Sequence, residues 1–111
     1  MRESKLLLKD ILEAISAIER FVEGISFEDF MNNDEKSSAV IRKFEIIGEA
    51  TKGLPEDLKD KHPEIPWKEM AGFRDKLIHF YFGVKYELVW QAIKKRLPRI
   101  KSLIQKILED Q

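Results

Sequence analysis

Between positions 74 and 81 the chain reads Arg74-Asp75-Lys76-Leu77-Ile78-His79-Phe80-Tyr81, which sets a permanent cation, a titratable imidazole and a phenol within eight residues. Together these groups suit phosphate chemistry. A guanidinium grips phosphate oxygens in a planar fork, an imidazole takes or gives a proton near neutral pH, and a phenol hydrogen-bonds or accepts a modifying group. If one helix carries the segment, Arg74 and Tyr81 fall roughly 20° short of two full turns apart and share a face, whereas His79 lies roughly 140° round from Arg74. Arginine and histidine then converge on one ligand only if the helix end unwinds near Gly83 or a second copy contributes. A two-fold axis beside the segment would bring two arginines and two histidines to one cleft.

Such a cleft supports cleavage of RNA without metal. RNA supplies its own nucleophile: a ribose 2′-hydroxyl attacks the neighbouring phosphate, His79 handles protons, and Arg74 stabilises the charge developing on the phosphorus oxygens. Asp75 takes a supporting part, orienting Arg74 or His79, although neighbours on a helix diverge by roughly 100°. Each residue also has a plainer reading. Arg74 could pair with the acidic stretch Glu28, Asp29, Asp34 and Glu35, His79 could be a structural histidine among aromatics, and Tyr81 could be a core aromatic with its hydroxyl at the surface. His62, between Lys61 and Pro63, reads as a turn residue rather than a metal ligand, and Trp67 and Trp90 as core anchors.

Composition narrows the classes. The 111 residues fit one domain spanning 1–111 and suffice for a core without staples. No cysteine is present, which removes disulfides, thiolate metal sites and cysteine nucleophiles, and a reducing cytoplasm is the compartment easiest to reconcile with that. No apolar run approaches the roughly 18 residues of a membrane span, and no metal or cofactor is called for. Twenty basic and twenty acidic residues cancel, so a general polyanion binder is not indicated. The charge is nevertheless uneven: Lys94, Lys95, Arg96, Arg99, Lys101 and Lys106 give the last segment a basic bias, either a solvated face or a rim that attracts phosphate.

The elements that must position the motif are helical. Leu8, Ile11, Ile15, Ile18 and Val22 recur at three- and four-residue steps, predicting a helix over 4–23 that stops at Gly24. Ser26 followed by Asp29 predicts a capped short turn carrying Phe27 and Phe30. A long helix is predicted over 34–52, closed by Gly53 and Pro55, then a short charged turn among the prolines of 55–66. Pro66-Trp67 opens the motif-bearing segment, and Gly83 ends it. The last helix is predicted over 86–109, with Leu88 on its apolar stripe and a kink at Pro98, which removes a backbone donor and crowds the preceding turn. The expected outcome is an all-α bundle of four to five helices.

Taken with its flanks, the motif resembles the HepT-like toxins of the HEPN superfamily, whose members carry Arg-x4-6-His and, in this branch, His-x-Tyr. The resemblance is strongest from Ala39 to Pro98: Ile41 through Ala50, then His62-Pro63-Glu64-Ile65-Pro66-Trp67, then Arg74 through His79 and Tyr81, Phe82-Gly83-Val84, and Val89-Trp90. It implies a HEPN-like helical bundle that forms a homodimer, a metal-independent ribonuclease toxin with Arg74 and His79 catalytic, and a minimal nucleotidyltransferase as antitoxin. It also places Asp75 at the polar position after the motif arginine and Tyr81 at the tyrosine the partner adenylylates. Lys85 departs from the family, which usually has an acidic cap after Gly-Val. The alternative is a non-catalytic helical module that holds a nucleotide or partner within a nucleotidyltransferase complex.

Overall fold

Side-chain spacing sets the first helix, α1 (Ser4–Phe21), whose buried face is Leu8, Ile11, Ala14, Ile15, Ala17 and Ile18. In the computed structural model, which describes residues 3–73, 75, 76 and 85–110, this helix closes slightly before the predicted end at residue 23. Gly24 follows at φ +74°, a left-handed conformation that glycine adopts without a Cβ penalty. Lys36 Nζ, reaching over from a later helix, donates to Phe21 O at 3.0 Å and sets a cation against the carbonyl end of α1. Nothing in local sequence marks that contact.

Helix α2 (Phe27–Asn32) starts with the expected reciprocal cap: Asp29 N–H donates to Ser26 Oγ at 3.1 Å, and Ser26 N–H donates to Asp29 Oδ2 at 3.2 Å. Asn33 then caps α3 (Asp34–Lys52), accepting from Lys36 N–H at 3.0 Å. The bounds of α3 are those the periodicity predicts. Its buried Val40, Phe44 and Ile47 stand among polar Ser37 and Thr51, which are also buried. Both hydroxyls are satisfied within the helix: Ser37 Oγ donates to Asp34 O at 3.3 Å, and Thr51 Oγ1 to Ile47 O at 2.7 Å.

The charged stretch among the prolines forms a helix, α4 (Glu56–Lys61), rather than a bare turn. Glu56 and Asp57 sit in its first turn and Lys59 and Lys61 in its last, the polarity the helix dipole favours. Helix α5 (Trp67–Ala71) follows Pro66. Trp67 Nε1–H donates to His62 O at 3.0 Å, so His62 serves as a turn residue whose carbonyl holds the anchor in place.

From 86 to 109 the chain is continuously helical, in three parts: α6 (Tyr86–Gln91), a π-helical turn (Ala92–Arg96) and α7 (Leu97–Glu109). Where a kink is expected from Pro98, the helix widens into this π turn. Pro98 stands in the first turn of α7 and has no N–H to give, while Leu97 N–H reaches back to Ala92 O in the wider i→i−5 pattern. Lys85 precedes α6 without a side-chain cap, since an ammonium cannot accept a hydrogen bond.

The buried side chains form one connected core from Leu8 to Ile107. α1 and α3 pack along their lengths, α7 lies against α1, and α5 against α3. Phe30 joins α2 to α6 through Tyr86, edge-on at 6.1 Å between ring centroids, and Trp90 at 5.3 Å. Trp67 is buried as expected, whereas Trp90 is only partly so. The architecture is all-α among the described residues, and no described helix is long and apolar enough to cross a membrane.

Candidate functional site

The approach to the motif is built by α5 and the turn after it. Gly72 O accepts from Lys76 N–H at 3.0 Å, an i→i−4 bond that carries helical structure on past Gly72. Phe73 is buried and meets Phe44 of α3 edge-on, with centroids 5.1 Å apart and planes at 86°. The residue preceding Arg74 is thus pinned to the central helix. Asp75 is exposed, with its side chain 72% accessible, and its Oδ2 lies 4.0 Å from Nζ of Lys52, the last residue of α3. Arg74, His79 and Tyr81 lie outside the described residues, so the expected face-sharing of Arg74 and Tyr81 does too. Of the sequence-predicted site residues, Asp75 is therefore the one whose surroundings can be stated. Among the described residues its partner is Lys52.

Beside this approach the chain forms a cleft of about 380 Å³. Phe44 and Phe73 make its floor, Leu88, Val89, Gln91 and Ala92 one wall, and Lys76, Glu69, Lys95 and Arg96 its charged rim. Glu69 and Arg96 are joined as a fork: Arg96 Nε donates to Oε1 at 2.9 Å and Nη2 to Oε2 at 2.5 Å. That hydrogen-bonded carboxylate raises the Arg96 pKa further above its ordinary value, so the guanidinium stays charged throughout the working pH range. Lys76 and Lys95 form no ion pair among the described residues.

Other parts of the basic C-terminal segment are occupied. Lys94 lies over the Trp90 ring at 4.8 Å, and Lys101 Nζ pairs with Glu19 Oε1 at 2.6 Å, tying α7 to α1. Among the described residues no group of three or more His, Cys, Asp or Glu is placed to hold a metal ion. His62 Nδ1 stands 3.5 Å from Glu64 Oε1, a local pair beside the turn.

The cleft is the feature that residue-by-residue reading misses. Leu88, expected on the buried stripe, is 48% exposed and lines the cleft wall. The signal in the sequence is the spacing of Leu88, Ala92 and Lys95, which puts an apolar residue and a cation on one helical face without a partner segment assigned to it.

A family described as HepT-like ribonuclease matches residues 11–107, a stretch running from within α1 to within α7. A Thermococcus cleftensis protein named "Probable ribonuclease HepT" is 51% identical over 106 residues, covering 96% of each chain. "Putative RNase MJ1216" of Methanocaldococcus jannaschii is 48% identical over 109 residues, 98% of this chain and 90% of that one. The same organism's "Gamma-glutamylcyclotransferase and putative RNase MJ0434" is 44% identical over 109 residues, which are 98% of this chain but 49% of that longer protein. No solved structure matches significantly. With the family match spanning residues 11–107 and the relatives aligned over nearly its whole length, the chain belongs to the HepT-like ribonuclease family.

Proposed function

We propose that this chain is the toxin of a two-component pair: an RNA endonuclease that acts as a homodimer, needs no metal, and is silenced by a minimal nucleotidyltransferase antitoxin. The observation that carries the reading is Arg74-x4-His79-x-Tyr81 within a chain of the HepT-like ribonuclease family. One domain holds the activity, in keeping with the connected core and with the recurrence of the same unit as about half of a longer relative. The absence of cysteine suits a reducing cytoplasm.

The chemistry needs little beyond the substrate. His79 removes the proton from a ribose 2′-hydroxyl as its oxygen bonds to the adjacent phosphorus. Arg74 carries the extra negative charge on the non-bridging oxygens in the transition state. The bond from phosphorus to the 5′-oxygen breaks, and that oxygen takes up a proton. A 2′,3′-cyclic phosphate and a 5′-hydroxyl result, with no water consumed. Two copies of the motif facing one another answer the divergence expected of Arg74 and His79 if a single helix carries them. Asp75, exposed and with its Oδ2 4.0 Å from Lys52 Nζ, takes a supporting part, orienting Arg74 or His79.

The test is a substitution series on purified protein acting on mixed RNA. Arg74→Ala and His79→Ala are expected to lose roughly two to three orders of magnitude in cleavage rate with helicity retained. Asp75→Asn is expected to lose less than tenfold. Cleavage by His79→Ala at the parent's rate would overturn the assignment.

A further inference from the structure

We propose that the cleft between α5 and α6 is a nucleotide subsite that seats one unpaired base of an RNA strand, with Lys76 and Lys95 holding the phosphates on either side. The inference rests on the ribonuclease reading and adds the place where the strand is gripped. The cleft's volume, about 380 Å³, lies toward the small end of the range for sites that enclose small organic groups. It is walled by apolar side chains, and Leu88 is left 48% exposed on it. An exposed leucine in a concave wall is a surface that a flat aromatic group can cover.

Charge identifies the occupant. Glu69, the rim's carboxylate, is held at both oxygens by Arg96. Lys76 and Lys95 are exposed and make no ion pair among the described residues, so the rim carries uncompensated positive charge across an apolar floor. Gln91 adds an amide, both donor and acceptor, able to meet a base edge. An apolar slot flanked by two cations fits a base with its neighbouring phosphates. A paired duplex keeps its bases stacked inside and leaves such a slot empty.

Local backbone supports the same placement. The π-helical turn Ala92–Arg96 contributes Ala92, Lys95 and Arg96 to the cleft, and turns of this kind recur at functional sites. On the opposite side Phe73 and Lys76 come from the segment that includes Arg74 in sequence. A base held here is therefore bound by residues that flank the proposed catalytic arginine along the chain.

The experiment measures binding of a fluorescent single-stranded RNA of mixed sequence, 2′-O-methylated throughout so that it cannot be cut, against its duplex, with cleavage of unmodified RNA followed in parallel. Lys76→Glu and Lys95→Glu are each expected to weaken single-strand binding about tenfold and to flatten its salt dependence by roughly 0.7 in log–log slope for each phosphate no longer neutralised. Leu88→Ala is expected to weaken binding several-fold with the salt slope unchanged, the mark of base packing rather than charge. Lys106→Glu, exposed on α7 and away from the cleft lining, serves as the control and should bind as the parent does. If the parent cuts RNA while both cleft lysine variants bind and cut as it does, the subsite is refuted and the ribonuclease reading stands. Equal affinity for duplex also refutes it, as does a change in sedimenting mass without a change in RNA binding, which would mark the face as one covered by a second copy. If the parent neither binds nor cuts RNA, both readings fall.

Discussion

Asp75 follows the motif arginine in sequence, and its carboxylate lies 4.0 Å from the ammonium of Lys52 at the end of α3. Residue types and spacing supply the proposed chemistry of this region, a guanidinium, an imidazole and a phenol at Arg74, His79 and Tyr81, all three outside the described residues. The cleft beside it was not. Its rim depends on Glu69 meeting Arg96, residues 27 apart in sequence, and on Leu88 facing outward where helical periodicity put it inward. Neither fact is a local property of the chain. At this scale the regulatory prediction concerns Tyr81. Coexpression with the cognate nucleotidyltransferase is expected to add adenylate mass at Tyr81 and suppress cleavage, and Tyr81→Phe to escape the modification because the acceptor oxygen is gone. Mass spectrometry of the tryptic peptides decides it. Adenylate found on another residue, or modified protein that cuts as fast as unmodified, would overturn the mechanism.

The helices were the readable part of the fold because their signals are local. Alternation of three- and four-residue apolar steps gave α1 and α3, and the Ser26–Asp29 pair gave α2 together with its cap. The 55–66 stretch was harder. Its prolines argue for a turn, but the acidic start and basic end of α4 favour a helix, and the helix forms. Pro98 led to the expectation of a kink, and the helix there carries a π turn; which of the two forms depends on what packs beside it. Phe30 offers the sharpest test at this scale. It is fully buried and links α2 to Tyr86 and Trp90, so Phe30→Ala leaves a cavity where the second helix meets the sixth. A loss of about 3–5 kcal/mol in unfolding free energy is expected, measured by urea denaturation followed by circular dichroism. A loss under about 1 kcal/mol would show that α2 is not held through this residue.

At the scale of the whole molecule, the connected core explains how so short a chain holds the approach to its motif: α3 receives Phe73 through Phe44, and α7 is tied to α1 through Lys101 and Glu19. If one helix carries Arg74 and His79, their expected divergence makes a second copy part of the proposed site. Sedimentation at micromolar concentration is therefore expected to show twice the 13.1 kDa chain mass, with activity falling as dilution yields monomer. Undiminished cleavage by a 13.1 kDa species would rule out the shared cleft. The most direct test of the central claim, cleavage that uses the RNA's own 2′-hydroxyl and no metal, is the chemistry of the cut ends formed by purified protein in the presence of chelator. The expected products carry 2′,3′-cyclic phosphate and 5′-hydroxyl ends, and a substrate with 2′-deoxyribose at the cleavage position should remain intact. Products with 5′-phosphate ends, cleavage abolished by chelator, or cutting of the 2′-deoxy substrate would contradict it.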